Sequence, residues 1–223
     1  MYFTFGSPKK LSSLSDLVST QGADRRRARI AIIDDEPFTR ADALRASGFD
    51  LIELGDIKTI DSVASYPVIV CDIRGVGAAF QSKYQGAHVL AEIRARFPDK
   101  YLIAFTGMTY DATYNSKLAK ADISATKDID TEAWSQILET GIKEVTDPVR
   151  RWLRFRKHLL EMNIDLYEIF RLEQAFIASI ENEDSKLLTD RSSSSPFSKE
   201  TKELVATFAA SAVSQLILGV IGS

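Results

Sequence analysis

The chain has 223 residues, of which 45% are hydrophobic and 26% charged, with 11 glycines and 6 prolines. That composition excludes wholesale disorder, collagen and low complexity, and the length predicts one or two domains. Its 28 Lys and Arg against 31 Asp and Glu give a formal net charge of −3, which argues against a broadly basic nucleic-acid surface. The single cysteine, Cys71, excludes an intramolecular disulfide and a multi-cysteine zinc site.

Residues 1–28 read as an N-terminal arm. Met1 to Lys10 lacks the uninterrupted apolar core of an export signal. A Ser-rich lead follows with one amphipathic piece, Leu11, Leu14, Leu17 and Val18, and then Arg25, Arg26 and Arg27, a short charged run expected to be solvated.

From Arg29 apolar runs bounded by turn residues alternate with amphipathic stretches, the pattern of a parallel sheet with helices on both faces. Strands are predicted at 29–33, 50–54, 68–71, 101–105 and 123–126, and helices at 37–47, 59–65, 87–97, 111–119 and 131–146. The third and fourth strands are continuous apolar runs, as strands buried on both faces should be. Residues 29–147 thus predict an α/β domain.

After Asp147 the alternation stops and residues 148–223 predict an α-helical region. Pro148 suits a first helical turn. Trp152, Phe155, Leu159, Met162, Leu166, Ile169, Phe176 and Ile180 form one apolar stripe, broken only by Glu173, which needs a partner. Residues 187–198, with four consecutive serines and Pro196, predict a loop, and a last helix starts near Ser198. Leu204 to Ile221 carries no charge, and as a helix it would extend about 27 Å, long enough for a membrane anchor. Thr207, Ser211, Ser214 and Gln215 instead make a polar stripe that favours packing on another helix.

Candidate chemistry gathers at the carboxyl ends of the predicted strands, where an open parallel sheet places its ligand crevice. Asp34 and Asp35 follow the first strand, Asp72 the third, Thr106 the fourth and Lys127 the fifth. Three converging carboxylates are costly without a cation, and hard oxygen ligands suit Mg²⁺. Thr106 and Lys127 offer a hydroxyl and an ammonium to a phosphoryl group.

In these residues and their order, 29–145 resembles the receiver domain of two-component response regulators, the CheY-like fold: α/β, doubly wound, with a five-stranded parallel sheet of order 2-1-3-4-5. The resemblance implies that Asp72 is the phosphoacceptor, charged from a histidine kinase or phosphotransfer protein. It implies Asp35 as a direct Mg²⁺ ligand, Asp34 as one through water, and the carbonyl of Arg74 as another. Thr106 would be the switch hydroxyl and Lys127 the phosphate counter-ion. It implies a cytoplasmic signalling protein rather than an enzyme, with at most slow autophosphatase activity.

The sequence departs from that pattern in four places. The stretch from Ile73 to Gln85 is long and lacks the common Met-Pro turn, Asp128 follows Lys127 where proline is usual, Ser124 stands where an aromatic switch residue normally sits, and fewer residues than usual separate Asp35 from Asp72. The first expectation is phosphorylation that controls a homodimer or the binding of a helical protein partner through the C-terminal helices; these departures leave open a phosphorylation-independent interaction module, and the uncharged tail a membrane-anchored regulator.

His88 and Cys71 are expected to pack. His158 lies on the long helix with no phosphotransfer box around it. Arg150, Arg151, Arg154, Arg156 and Lys157 are expected to snorkel outward from aromatics facing a helical partner. No helix-turn-helix pattern follows, so nucleic acid is not an expected partner.

Overall fold

The computed structural model describes residues 7–17, 25–107 and 118–221. They form two compact units, one within Gln21–Thr146 and one within Met1–Thr20 and Asp147–Ser223.

The first unit contains β1 (Ile30–Ile33), α1 (Ala41–Ala46), β2 (Leu51–Glu53), β3 (Val68–Asp72), α2 (Gln85–Arg96), β4 (Tyr101–Thr106), β5 (Ile123–Thr126) and α3 (Thr131–Thr146). All strand pairs are parallel, in the order β2-β1-β3-β4-β5. Alternation along each strand sorts the side chains between two faces. Ile30, Ile32, Val70, Ile103 and Phe105 pack with Leu44 of α1 and Trp134 and Leu138 of α3. Ala31, Ile33, Ile69, Cys71 and Ala104 pack with Val89, Leu90 and Ile93 of α2.

The strands lie within a residue of their expected bounds, and α3 matches them. Two helices are shorter. In place of a helix from Pro37, Phe38 donates its N–H to Glu53 Oε1 at 2.9 Å and its ring meets Phe105 and Trp134 edge-on at 5.5 and 5.2 Å. The α-helix therefore begins only at Ala41. The segment expected as a helix at 59–65 is one turn of 3-10 helix, Ile60–Val63. Most of the helix expected at 111–119 lies outside the described residues.

Arg25, expected to be solvated, is tied down. Its guanidinium donates to Glu139 Oε1 at 2.9 and 2.6 Å and to the Ser47 carbonyl at 2.8 Å, and lies 4.8 Å from the Phe49 ring centre.

The second unit contains a 3-10 helix (Leu11–Leu17), α4 (Pro148–Glu161), α5 (Leu166–Glu181), α6 (Lys186–Ser193), α7 (Lys199–Phe208), a π-helical turn (Ala209–Val213) and α8 (Ser214–Ile221). Its centre is aromatic: Phe155 stacks on Phe208 at 4.0 Å and Trp152 on Phe176 at 4.9 Å. Leu14 is fully buried in the same core.

The expected single stripe is carried by two helices instead of one. Asn163 takes a left-handed φ of +58°, and Asp165 caps α5 by accepting from the N–H groups of Tyr167 and Glu168. Glu173, the break in the stripe, accepts from the buried Trp152 indole at 2.7 Å.

The expected loop at 187–198 is largely helix. Leu188 anchors α6 in the core, and the Ser193 hydroxyl bonds back to the Thr189 carbonyl at 2.9 Å, so it is satisfied within the helix. Ser198 then caps α7 through the Thr201 N–H at 3.1 Å. The uncharged tail is built into this unit: Leu204, Val205, Phe208, Ala212, Val213 and Leu216 are buried. Gln215 of its polar stripe accepts from the buried Arg151 at 2.9 Å. Among the described residues no helix is long and apolar enough to cross a membrane.

Candidate phosphoacceptor site

Register assembles the site. Ile33 pairs with Cys71, so the next residues, Asp34 just beyond β1 and Asp72 at the end of β3, stand side by side. Asp72 pairs with Phe105, so Thr106 ends β4 one step further on, opposite Thr126 of β5. Lys127 follows β5 directly, its N–H donating to the Thr106 carbonyl at 3.0 Å.

Asp34, Asp35 and Asp72 each bring a carboxylate oxygen within 4.8 Å of the others. Asp34 and Asp72 are 6% and 4% exposed, whereas Asp35 is exposed. Lys127 Nζ lies 2.6 Å from Asp72 Oδ2 and 3.4 Å from Asp34 Oδ2, and 5.1 Å from the Phe105 ring centre. The other oxygens hold loop backbone: Asp34 Oδ1 accepts from the Glu36 N–H and Asp72 Oδ1 from the Arg74 N–H, both at 3.1 Å.

The Lys127 ammonium pairs with two of the three clustered carboxylates, and the titrations reflect it. Burial, with the neighbouring Asp72 charge, raises Asp34 above its ordinary value despite the Glu36 N–H and Lys127. Burial pulls on Lys127, yet Asp72 and Asp34 hold its pKa above the usual lysine range. The excess negative charge, the all-oxygen donors and the partly open position at Asp35 fit a hard divalent cation such as Mg²⁺.

The long loop after β3 is pinned by a residue the sequence analysis did not single out. Asp56, just beyond β2, accepts from the Gly77 and Ala78 N–H groups at 2.6 and 3.1 Å. Gly75 within this loop has φ +80°, and a Cβ there would fall into the Asp35 carboxylate. The signal available was an acidic residue after a strand with glycines in the loop opposite, but the pairing joins positions 21 residues apart.

Cys71 and His88 pack, whereas Ser124 and Asp128 are exposed. Cys71 is buried, and burial, with the nearby Asp72 charge, pushes its thiol well up. His88 meets the Phe80 ring edge-on at 6.2 Å. Ser124 is exposed on β5. The Thr126 hydroxyl donates to Asp128, keeping its carboxyl below the ordinary range.

Sheet order, parallel pairing and helices on both faces make this the receiver-like α/β fold. Solved structures similar to about half of the chain are CheY-like receiver domains. Chemotaxis protein CheY4 of Vibrio cholerae is 16% identical, covering 51% of this chain and 98% of its own, with a TM-score of 0.41. The apo receiver domain of nitrogen regulatory protein C is 22% identical, covering 52% and 95%, with a TM-score of 0.43. An adenylate cyclase from Rhodopirellula baltica is 18% identical, covering 60% and 97%, with a TM-score of 0.43. No protein-family model matches the sequence, and no curated protein matches it either.

Proposed function

We propose that the chain is a response-regulator signalling protein of the cytoplasm, a phosphoacceptor rather than an enzyme, which takes a phosphoryl group on Asp72 from a histidine kinase or phosphotransfer protein. The observation that carries this reading is the meeting of Asp34, Asp35 and Asp72 within 4.8 Å, with Lys127 2.6 Å from Asp72.

Asp34, Asp35, Asp72 and the carbonyl of Arg74 are the groups to hold Mg²⁺, which when bound would neutralise charge on the transferring phosphoryl group. The chain's own residues do the rest. An Asp72 carboxylate oxygen attacks phosphorus in line; the P–N bond of the donor phosphohistidine breaks with its electron pair passing to the imidazole, leaving an aspartyl phosphate. Lys127 already sits on the acceptor carboxylate, so it need only follow the charge onto a phosphate oxygen, and positioning supplies much of the acceleration. The Thr106 hydroxyl is the second group drawn to the phosphate, and the rearrangement of β4, β5 and α3 is the signal. The helical unit then delivers the output as a dimer or by binding a protein partner.

Exposed Ser124 favours a second reading, in which the fold binds a partner without phosphate. The test is incubation with acetyl phosphate, or with beryllofluoride, and Mg²⁺, read by intact mass and by labelling. Modification of the wild type and its loss in Asp72→Ala are expected. An unmodified wild type, with partner binding unchanged in Asp72→Ala, selects the second reading.

A further inference from the structure

The loop that runs from Ile73 to Tyr84 joins Asp72, at the end of β3, to α2, and contains one turn of 3-10 helix, Ala78–Phe80. A free loop of that length would spread its backbone over many conformations. Its first half is instead fastened at both ends. On the near side the Arg74 N–H donates to Asp72 Oδ1 at 3.1 Å and the Gly75 N–H to Gln85 Oε1 at 3.2 Å. On the far side Asp56 takes one N–H on each carboxylate oxygen, that of Gly77 at 2.6 Å and that of Ala78 at 3.1 Å.

The stretch between these fastenings has no slack. Val76 is 1% exposed and lies in the same core as Val89 of α2. Gly77 is wedged, since a Cβ on it would stand 2.9 Å from the Val89 side chain and 3.2 Å from the Gln85 carbonyl, so the segment cannot shift toward α2. What is steadied in this way is part of the site. The Asp35 carboxyl group lies within 2.7 Å of where a Cβ on Gly75 would stand, so exposed Asp35 rests against loop backbone. Arg74 carries the carbonyl assigned above to Mg²⁺. A carboxylate that only capped the 3-10 turn would act on that turn alone, but here Val76 is all that separates the gripped Gly77 from Gly75.

We infer that Asp56 is a positioning residue of the site: by gripping Gly77 and Ala78 it holds the Arg74 carbonyl and the Asp35 carboxylate in the arrangement that takes Mg²⁺. The inference rests on the reading of that site as a Mg²⁺-dependent phosphoacceptor and adds a residue that touches none of the reacting atoms.

The test is calorimetric Mg²⁺ titration of the full chain, with hydrogen exchange followed in Mg²⁺-free buffer. Asp56→Ala should weaken Mg²⁺ binding by about tenfold, as loss of a group behind a metal's ligands does. It should also speed exchange at Arg74 and Gly75, not only at the two amides that Asp56 holds. Asp56→Asn removes the same charge but keeps one acceptor for the Gly77 N–H, so it should weaken binding clearly less than alanine does. Equal losses would assign the effect to charge instead of grip. Asp122→Ala is the control for general loosening: at the other end of β4 it removes a carboxylate that accepts from Arg94 and from the Leu102 N–H, both at 2.7 Å. It should lower the melting temperature and leave Mg²⁺ affinity unchanged. A wild type that binds no Mg²⁺, wild-type affinity or unchanged exchange in Asp56→Ala, equal losses in the two Asp56 variants, or a similar loss in Asp122→Ala overturns the inference. Acetyl-phosphate labelling of the same samples separates the two readings. A labelled wild type with an indifferent Asp56→Ala removes the positioning role alone, and the expected Mg²⁺ pattern in a chain that is never labelled removes phosphoacceptance alone.

Discussion

At the scale of single residues, Asp34 shows how the site trades stability for charge. Its carboxyl is buried beside Asp72, and its pKa is raised, so ionisation is harder in the folded chain than in the unfolded one. For a raised group, the favourable contribution is complete below the unfolded pKa and is lost as pH rises through the folded value. In Mg²⁺-free buffer, wild type and Asp34→Asn are therefore expected to have similar stability near pH 3. At pH 7 the variant should be more stable by on the order of 1 kcal/mol. Denaturant titration of both proteins at the two pH values measures the difference, and a constant offset would show that ionisation of Asp34 plays no part. Calorimetric titration should show weaker Mg²⁺ binding by the same variant, because a carboxylate has become an amide.

At the scale of elements, the close approach of α2 to β3 is set by Gly86, where a Cβ would fall into the Asp72 carbonyl. Gly86→Ala must push the first turn of α2 away from the end of the strand that carries Asp72. We expect a cost of about 1 to 3 kcal/mol together with reduced acetyl-phosphate labelling. Unchanged melting and labelling would mean that the backbone yields at no cost. Elements were legible in proportion to how strongly their own sequence announces them. Val68 to Cys71 and Tyr101 to Phe105 are uninterrupted apolar runs, and both lie in strands that bury them along their length. Helix α6 escaped notice because serine favours turns by composition, while its helical state depends on Leu188, whose partners lie in distant helices. The break between α4 and α5 was hidden by an apolar periodicity that continues through it, although Asn163 and Asp165 held the local signal. The acidic cluster could be read because each member ends a recognisable strand. The Asp56 clamp could not, because its partners are backbone N–H groups, which leave no mark in composition.

At the scale of the whole molecule, the helical unit draws on both ends of the described chain. Leu14 of the 3-10 helix is fully buried among Trp152, Phe155 and Phe176, and Lys9 pairs with Glu181 of α5. A sequence reading sees residues 1–28 as an arm because Leu11, Leu14 and Leu17 make too short a stripe to identify a docking place, and nothing local points more than 130 residues ahead. Leu14→Ala is expected to cost about 3 kcal/mol and to lower the melting of the helical unit while leaving the α/β unit unchanged. Hydrogen exchange resolved by segment distinguishes this from a uniform loss of protection.

The interleaving of the two units also orders events during synthesis. A ribosome releases Leu14 before the sheet and the helices that enclose it after the sheet, so the strands and their acidic cluster can be finished while Leu11 and Leu14 still await their neighbours. Release from the tunnel of the segment from α4 onward, rather than the emergence of any strand, is then the step after which the nascent chain hides these greasy residues.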